Sequence, residues 1–405
     1  MTKLRRTPER IYLPRGFSFS AVVAGIKASG RPDLALIASS ASASAAALFT
    51  RNLVVAAPLE VDRASLASSA GHVRAVVVNS GNANCATGRA GRQSCQRVCR
   101  HAAQLLGVPA EEVFPSSTGI IGVPFPAEKI VAKLPDLMAA RASTKPAALA
   151  FAQAIMTTDT RPKIAAQRFR VGAKEVTIFG VAKGAGMIHP QLATMLVYLL
   201  TDAAATPRQL QQLLHDACDP TLNSMSIDGD TSTNDTVLLL ANGQSGVRVS
   251  EARVRHRFSQ ALGAVCQSLA EQIVSDGEGV QHVIRLFVEQ TSTREEALQV
   301  AKTIAHSALV KTAWAGADPN WGRILAAVGR CGLPIDPSRV RIFIGNQMVC
   351  RDGVAHPFNE RRAHESLAQP ECDIRVQLRR GKSSVRFLTT DLTAEYVHIN
   401  ADYST

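Results

Sequence analysis

The sequence predicts a mixed α/β fold of stacked sheets covered by helices. Three segments repeat apolar residues at helical spacing, and short runs rich in Val, Ile and Leu alternate with them along the chain. A chain of 405 residues supports roughly two to four domains, or two large halves sharing one core.

In chain order, Leu34 to Ile37 opens an apolar stretch that continues through the small residues of 39–48 to Phe49, which reads as a packed segment and not a linker. Arg74 to Val78 is a buried strand running into the Asn/Gly turn cluster NSGNAN at 79–84. A helix begins near Gly91, carries Cys95, Val98, Cys99, Ala102 and Leu106 on one face, and stops at Gly107 and Pro109. A second helix is written by Leu210, Leu213, Leu214 and Ala217, with Pro207 near its start. Thr236 to Leu240 is a strand. A third helix opens with Thr293 and Glu296 at capping-box spacing and turns Ala297, Val300, Ala301 and Ile304 to one side. Val340 to Ile344 is a further strand, and in Asp373 to Leu378 the residues Ile374, Val376 and Leu378 alternate with polar neighbours.

With 46% hydrophobic and 19% charged residues the chain is neither disordered nor fibrous. Its formal charge of +12 is spread among acidic residues, densest at Arg89 to Arg100 and Arg375 to Arg386. With only 5% aromatics those runs lack the stacking residues of single-strand binding, so the sequence predicts no nucleic-acid partner and a positive field suited to small anions. Eight cysteines without a close CxxC pair argue against a zinc ribbon and a disulfide scaffold, and Cys95 and Cys99 read as core. No apolar run reaches 18 residues, so the expectation is a soluble, cytoplasmic protein with no membrane contact.

Five segments concentrate Gly, Thr, Asp and Asn: SSTGIIG (116–122), MTTDTRPK (156–163), KGAGMIHPQLATML (183–196), SIDGDTSTNDT (226–236) and DPNWGR (318–323). Taken singly, each reads as a tight turn with side-chain caps. Together they mark a site, and no GxSxG, Walker, HExxH or GxGxxG motif competes with them. Thr194 follows the small Ala193 and precedes the apolar run Met195, Leu196, Val197. A threonine hydroxyl in mid-chain is a poor nucleophile. Scission of the Ala193–Thr194 bond would free an α-amine of reference pKa about 8 beside that hydroxyl, and the amine could act as its base. The same hydroxyl can attack the Ala193 carbonyl. Thr118 and Gly119 are the candidates for the oxyanion hole, because glycine lets backbone N–H groups approach closely.

These residues place the chain among known proteins. From Gly16 to Thr405 it resembles the ornithine acetyltransferases of arginine biosynthesis, also called glutamate N-acetyltransferases, which process themselves at an Ala–Thr bond. The resemblance is carried by NSGNAN, SSTGIIG, MTTDTRPK, KGAGM with ATML, DGDTSTND, DGEG (276–279), LVKTA (309–313), DPNWGR and INADYST (399–405). It implies an α/β/β/α sandwich built from an α chain, 1–193, and a β chain, 194–405. It implies that Thr194 accepts the acetyl group of N2-acetylornithine and passes it to glutamate, with Thr118 and Gly119 as the oxyanion hole. Thr157, Lys183, Glu278, Asn400 and Thr405 would contact substrate. No metal or organic cofactor is implied, acetyl-CoA stays open as a second donor, and the assembly would be a heterotetramer or larger.

The donor carries a carboxylate and an ammonium, so Lys183 and Thr157 suit the first and Glu278 the second. Asp228 and Asp230 read as braces of the site loop. The chain departs from the family pattern in His189 and Gln191 before the Ala–Thr pair and in His282 after DGEG, and these changes bear on substrate choice. His189 is also weighed as an acid or base. The rival expectations are an amidohydrolase on the same scaffold, an acetyltransferase for a related acylated amino acid, and a noncatalytic basic binding protein.

Overall fold

The computed structural model describes residues 11–189 and 195–402. The elements fall into three groups in chain order, the first containing β1 (Phe17–Val22), β2 (Leu34–Phe49), α1 (Ala57–Ser68), β3 (His72–Asn82), α2 (Gly88–Leu106), β4 (Val113–Ile120), α3 (Ala127–Ala139) and α4 (Lys145–Ala154). The second contains β5 (Lys163–Val171), β6 (Lys174–Lys183), β7 (Leu196–Thr201), α5 (Pro207–Cys218), β8 (Thr236–Ala241) and α6 (Ala252–Val274). The third contains β9 (Val283–Thr291), α7 (Arg294–Ala305), α8 (Ala308–Ala315), α9 (Trp321–Gly329), β10 (Arg341–Ile344), β11 (Gln347–Arg351) and β12 (Val354–Ala355). It closes with α10 (Glu360–Leu367), β13 (Glu371–Gln377), β14 (Ser383–Thr390) and α11 (Ala394–Asp402).

Strand β2 organises the molecule. Its first part pairs with β1 and β3, its last part pairs with β8, and its register against β3 breaks between Ala38 and Ala43. The sheet order β4-β3-β2-β8-β7-β6-β5 therefore folds over on β2. One buried cluster joins Phe19, Ile37 and Val76 of the first half to Phe179, Tyr198 and Leu238 of the second. The rings of Phe19 and Phe179, on strands far apart in the sheet, meet edge to face at 5.6 Å.

Side chains alternate across each strand, so the opposite faces carry their own cores. Leu34, Leu36, Ala75 and Val77 pack under α2 and α3 through Val98, Ala102, Ile130 and Leu134. Val197, Leu199, Val237 and Leu239 pack under α5 and α6 through Leu210, Leu214, Leu262 and Leu269. The layers run helix, sheet, sheet, helix, which is the α/β/β/α sandwich expected. Each fully buried Leu, Val or Phe contributes roughly 1.5–3 kcal/mol relative to exposure.

A second sheet, in the order β12-β11-β10-β13-β9-β14, packs one face on α7 to α10 through Leu286, Val288, Ile374, Val300, Ile304 and Leu367. Its other face is a ladder of ion pairs, including Arg285 with Asp373 at 2.5 Å and Arg375 with Glu289 at 3.1 Å. The basic run 375–386 belongs to this surface. Its Arg379 pairs with Asp352 at 3.0 Å, Arg380 with Glu296 at 3.1 Å and Arg386 with Glu271 at 3.0 Å.

Two local expectations change. The helix read from Gly91 starts at Gly88. At α7 the Thr293 hydroxyl accepts from the Glu296 N–H at 3.2 Å, but the Glu296 carboxylate turns back to the N–H of Ser292, so the box is not reciprocal. A reciprocal box caps α5 instead, between Thr206 and Gln209. No described helix is long and apolar enough to cross a membrane.

Candidate active site

One cleft gathers Thr118, Gly119, Thr157, Lys183, Glu278 and Asn400, together with Asp228, Asn234 and Tyr396. Its volume of about 120 Å³ suits part of a small molecule. Ala193, Thr194 and Thr405, like Gln191, lie outside the described residues. The cleft borders the chain before 190–194 at Met187, and on the far side its lining residue Asn234 precedes Asp235, which holds Met195.

The wall bearing Thr118 and Gly119 is the end of β4, paired in parallel with β3. Gly119 has φ +133°, and a Cβ there would lie 2.3 Å from the Gly81 carbonyl carbon. Only glycine allows β3 and β4 to come this close. Asn234 fastens the same wall by donating from Nδ2 to the Ala83 carbonyl at 2.7 Å and the Ser117 carbonyl at 3.0 Å.

Lys183 ends β6 and is 2% exposed. Its Nζ donates to Thr157 Oγ1 at 2.8 Å and to Thr118 Oγ1 at 3.2 Å. Burial pulls its pKa below the ordinary lysine value and neighbouring Lys163 adds to this, while Asp159, Glu278 and Asp235 oppose it.

Asp159 lies behind these groups. It accepts the N–H of Thr157 at 3.0 Å, the N–H of Gly184 at 2.7 Å and the Lys163 ammonium at 2.5 Å. Lys163 also donates to Asp276 at 2.6 Å. Burial alone would raise the Asp159 pKa, but Lys163 and Lys183 hold it well below the usual carboxylate range.

Glu278 forms the facing wall. Its N–H donates to the Ala185 carbonyl at 2.9 Å, and its Oε2 accepts from Asn400 Nδ2 at 2.9 Å. A Cβ on Gly186 would stand 2.3 Å from Glu278 Oε2, so the second glycine of KGAG makes room for that carboxylate. Tyr396 on α11 donates its hydroxyl to Asp228 at 3.3 Å.

Asp228 accepts the N–H groups of Met187 at 2.5 Å and Ile188 at 2.9 Å, and so braces the chain entering 190–194. Asp235 does the same on the exit side, where its Oδ1 accepts the N–H of Met195 at 3.0 Å. Burial raises both carboxyl pKa values, that of Asp235 strongly. Thr236 N–H donates to the Met195 carbonyl at 3.1 Å, which fixes the head of β7 against β8.

The two histidine departures have structural partners. His189 lies against His306 with ring centroids 4.7 Å apart. Burial and Lys302 lower the His189 pKa, and burial with His189 brings His306 to about 3. His306 meets Ser226 Oγ at 3.0 Å, and Ser226 donates to the Ile188 carbonyl at 2.9 Å. His282 pairs with Asp391 at 2.9 Å.

Sequence reasoning did not single out Asp159, Lys163, Asn234, Asp235 or Tyr396 as site residues. Asp159 and Lys163, four apart in TTDTRPK, were the one local signal. The rest depend on contacts across the chain, such as Lys163 with Asp276, 113 positions apart.

The fold and cleft together describe an α/β/β/α-sandwich enzyme whose groups are hydroxyls, close-approach backbone N–H donors, a buried lysine and a carboxylate. The ArgJ family model matches residues 18–405. The arginine biosynthesis bifunctional protein ArgJ of Thermus thermophilus is 45% identical over 98% of this chain and all of its own length. That of Methylococcus capsulatus is 44% identical over 96% of this chain and 95% of its own. The crystal structure of the Bacillus halodurans ArgJ protein is 39% identical, covers 45% of this chain and 92% of its own, and has a TM-score of 0.42. The ornithine acetyltransferase of Mycobacterium tuberculosis, complexed with ornithine, is 39% identical, covers 44% of this chain and 94% of its own, and has a TM-score of 0.40. The chain belongs to the ArgJ family and is an acetyltransferase enzyme of arginine biosynthesis.

Proposed function

We propose that the protein cuts its own chain between Ala193 and Thr194 and then transfers acetyl from N2-acetylornithine to glutamate through Thr194. The observation that carries this reading is the convergence of Thr118, Gly119, Thr157, Lys183 and Glu278 on one cleft, which Met187, braced by Asp228 just before 190–194, also lines.

Self-cleavage begins with attack of the Thr194 hydroxyl on the Ala193 carbonyl. The peptide nitrogen leaves as the new α-amine, and water hydrolyses the resulting ester. In transfer, the amine takes the hydroxyl proton as Oγ attacks the acetyl amide of the donor. The oxyanion is held by N–H groups at Thr118 and Gly119 and by the Thr118 hydroxyl, the proton passes to the departing nitrogen, and ornithine leaves. Glutamate's amine then attacks the acetyl ester and restores the hydroxyl. Each oxyanion donor is worth roughly 3 kcal/mol.

Substrate recognition follows from charge. Glu278, held by Asn400, suits the donor's side-chain ammonium, and Lys183 with Thr157 suits its carboxylate. Chains 1–193 and 194–405 would stay together because β6 and β7 are hydrogen-bonded neighbours from Ile178↔Thr201 to Lys183↔Leu196. The relatives' description as bifunctional supports acetyl-CoA as a second donor to the same hydroxyl, and we propose association of αβ units into a heterotetramer or larger assembly. The chemistry uses no metal or organic cofactor.

Assaying ornithine release from acetylornithine with and without glutamate tests the reading. Release that depends on glutamate, with acetylglutamate formed, is the expected result. Release indifferent to glutamate, with acetate accumulating, would make the protein an amidohydrolase.

A further inference from the structure

We propose that Asp159 is a positioning residue for acyl transfer: its one buried carboxylate locks Thr157 to the Lys183–Gly184 turn, so that Thr118 and Thr157, which form a clamp with Lys183, keep their hydroxyl protons for the cleft. The inference rests on the acyl-transfer reading above and adds a residue to it.

The geometry divides the buried charges into two jobs. Asp159 reaches the clamp from behind, accepting from Thr157 N–H and Gly184 N–H. Asp276 instead accepts from Thr160 N–H at 3.1 Å and the Thr160 hydroxyl, with Arg161 at 3.8 Å. Lys163, fully buried, lies between the two carboxylates. An ammonium only donates. Thr118 and Thr157 therefore each spend a lone pair on Lys183 and point their own O–H elsewhere.

The arrangement requires Lys183 to stay cationic in a buried site. The charges facing it are Asp159, Glu278 and Asp235 on the acidic side and Lys163 and Lys27 on the basic side. Asp159 is the strongest of the acidic influences.

The experiment compares Asp159→Asn with Asp276→Asn in the full chain. Each variant removes one carboxylate charge and one bond to Lys163, but only the first touches the clamp. Asp159→Asn is expected to raise KM for acetylornithine about tenfold, since small misplacements cost this much or more. It should also move the alkaline limb of the pH–rate profile down by about one unit, the scale of losing one adjacent charge. Asp276→Asn should leave both readouts within about twofold of wild type. If Asp159→Asn does not fold, the double variant Asp159→Asn/Lys163→Met keeps the buried charge balanced and is read by the same two criteria. Equal changes in the Asp159 and Asp276 variants, or a lowered Tm with unchanged KM and pH profile, would overturn the proposal. Absence of acetylornithine-dependent transfer in the wild type would instead overturn the reading on which it rests.

Discussion

In the proposed mechanism Thr118 stands at the meeting of two functions, accepting from Lys183 Nζ at 3.2 Å while its own O–H remains for an oxyanion. Thr118→Ala should lower kcat for transfer by about 10²–10³-fold and slow the appearance of the two cut fragments, because one donor serves both tetrahedral states. A drop in transfer with self-cleavage at the wild-type rate would separate the two steps. In the proposed mechanism Glu278 acts on recognition alone. Glu278→Gln keeps the bond from Asn400 but removes the charge that meets the donor ammonium, so kcat/KM for acetylornithine should fall by about 10–100-fold. Its self-cleavage, followed by mass, should change by less. Equal losses in both assays would make Glu278 a structural residue.

At the scale of elements, β3 and β4 meet where Gly119 leaves no room for a side chain. Gly119→Ala must push β4 off β3 and should abolish measurable transfer while a native-like circular dichroism spectrum persists. Helix α1 holds a different strain. Asp62 is fully buried, and neither carboxylate oxygen has a hydrogen-bond partner among the described residues. Burial first, and neighbouring Cys99 next, push its pKa well above the usual carboxylate value. A group with a raised folded pKa supports the fold fully below its unfolded pKa, near 4, and loses that support as pH rises toward the folded value. Asp62→Asn should therefore raise Tm by about 3 °C or more at pH 8 and by little at pH 4. A gain that does not change between those pH values would contradict the ionisation argument.

The elements that were legible in the sequence are those whose partners are local. The faces of α2, α5 and α7 follow from spacing alone, and Cys95 and Cys99 are buried on α2 as that spacing requires. What stayed hidden depends on distant partners. The small residues of 39–48 gave no sign that one strand serves both halves of the sandwich, because the break after Ala38 is set by competing pairings with β3 and β8. The Glu296 carboxylate chose Ser292 over Thr293 for a similar reason, being held in place by Arg380 at 3.1 Å. Four of the five Gly, Thr, Asp and Asn segments supply residues to the cleft, whereas DPNWGR does not: its Asn320 caps α9 and its Arg323 donates to the Leu309 carbonyl at 2.8 Å. The sequence reads Asp228 as a brace and the structure agrees, whereas the bracing role of Asp235 became visible only once its backbone partner was in place.

At the scale of the whole molecule, the proposed break falls between two adjacent strands of one sheet, with the apolar cores continuous across it. Cleavage there would free a chain end without separating the halves. The cut protein should run as one species under native conditions and as two under denaturing ones. The most direct test of this account is intact mass with N-terminal sequencing of the active wild-type protein beside Thr194→Ala. Two polypeptides in the wild type, the second beginning at Thr194, and one uncut inactive chain in the variant are the predicted result. Full transfer activity from an unbroken 405-residue polypeptide would contradict it.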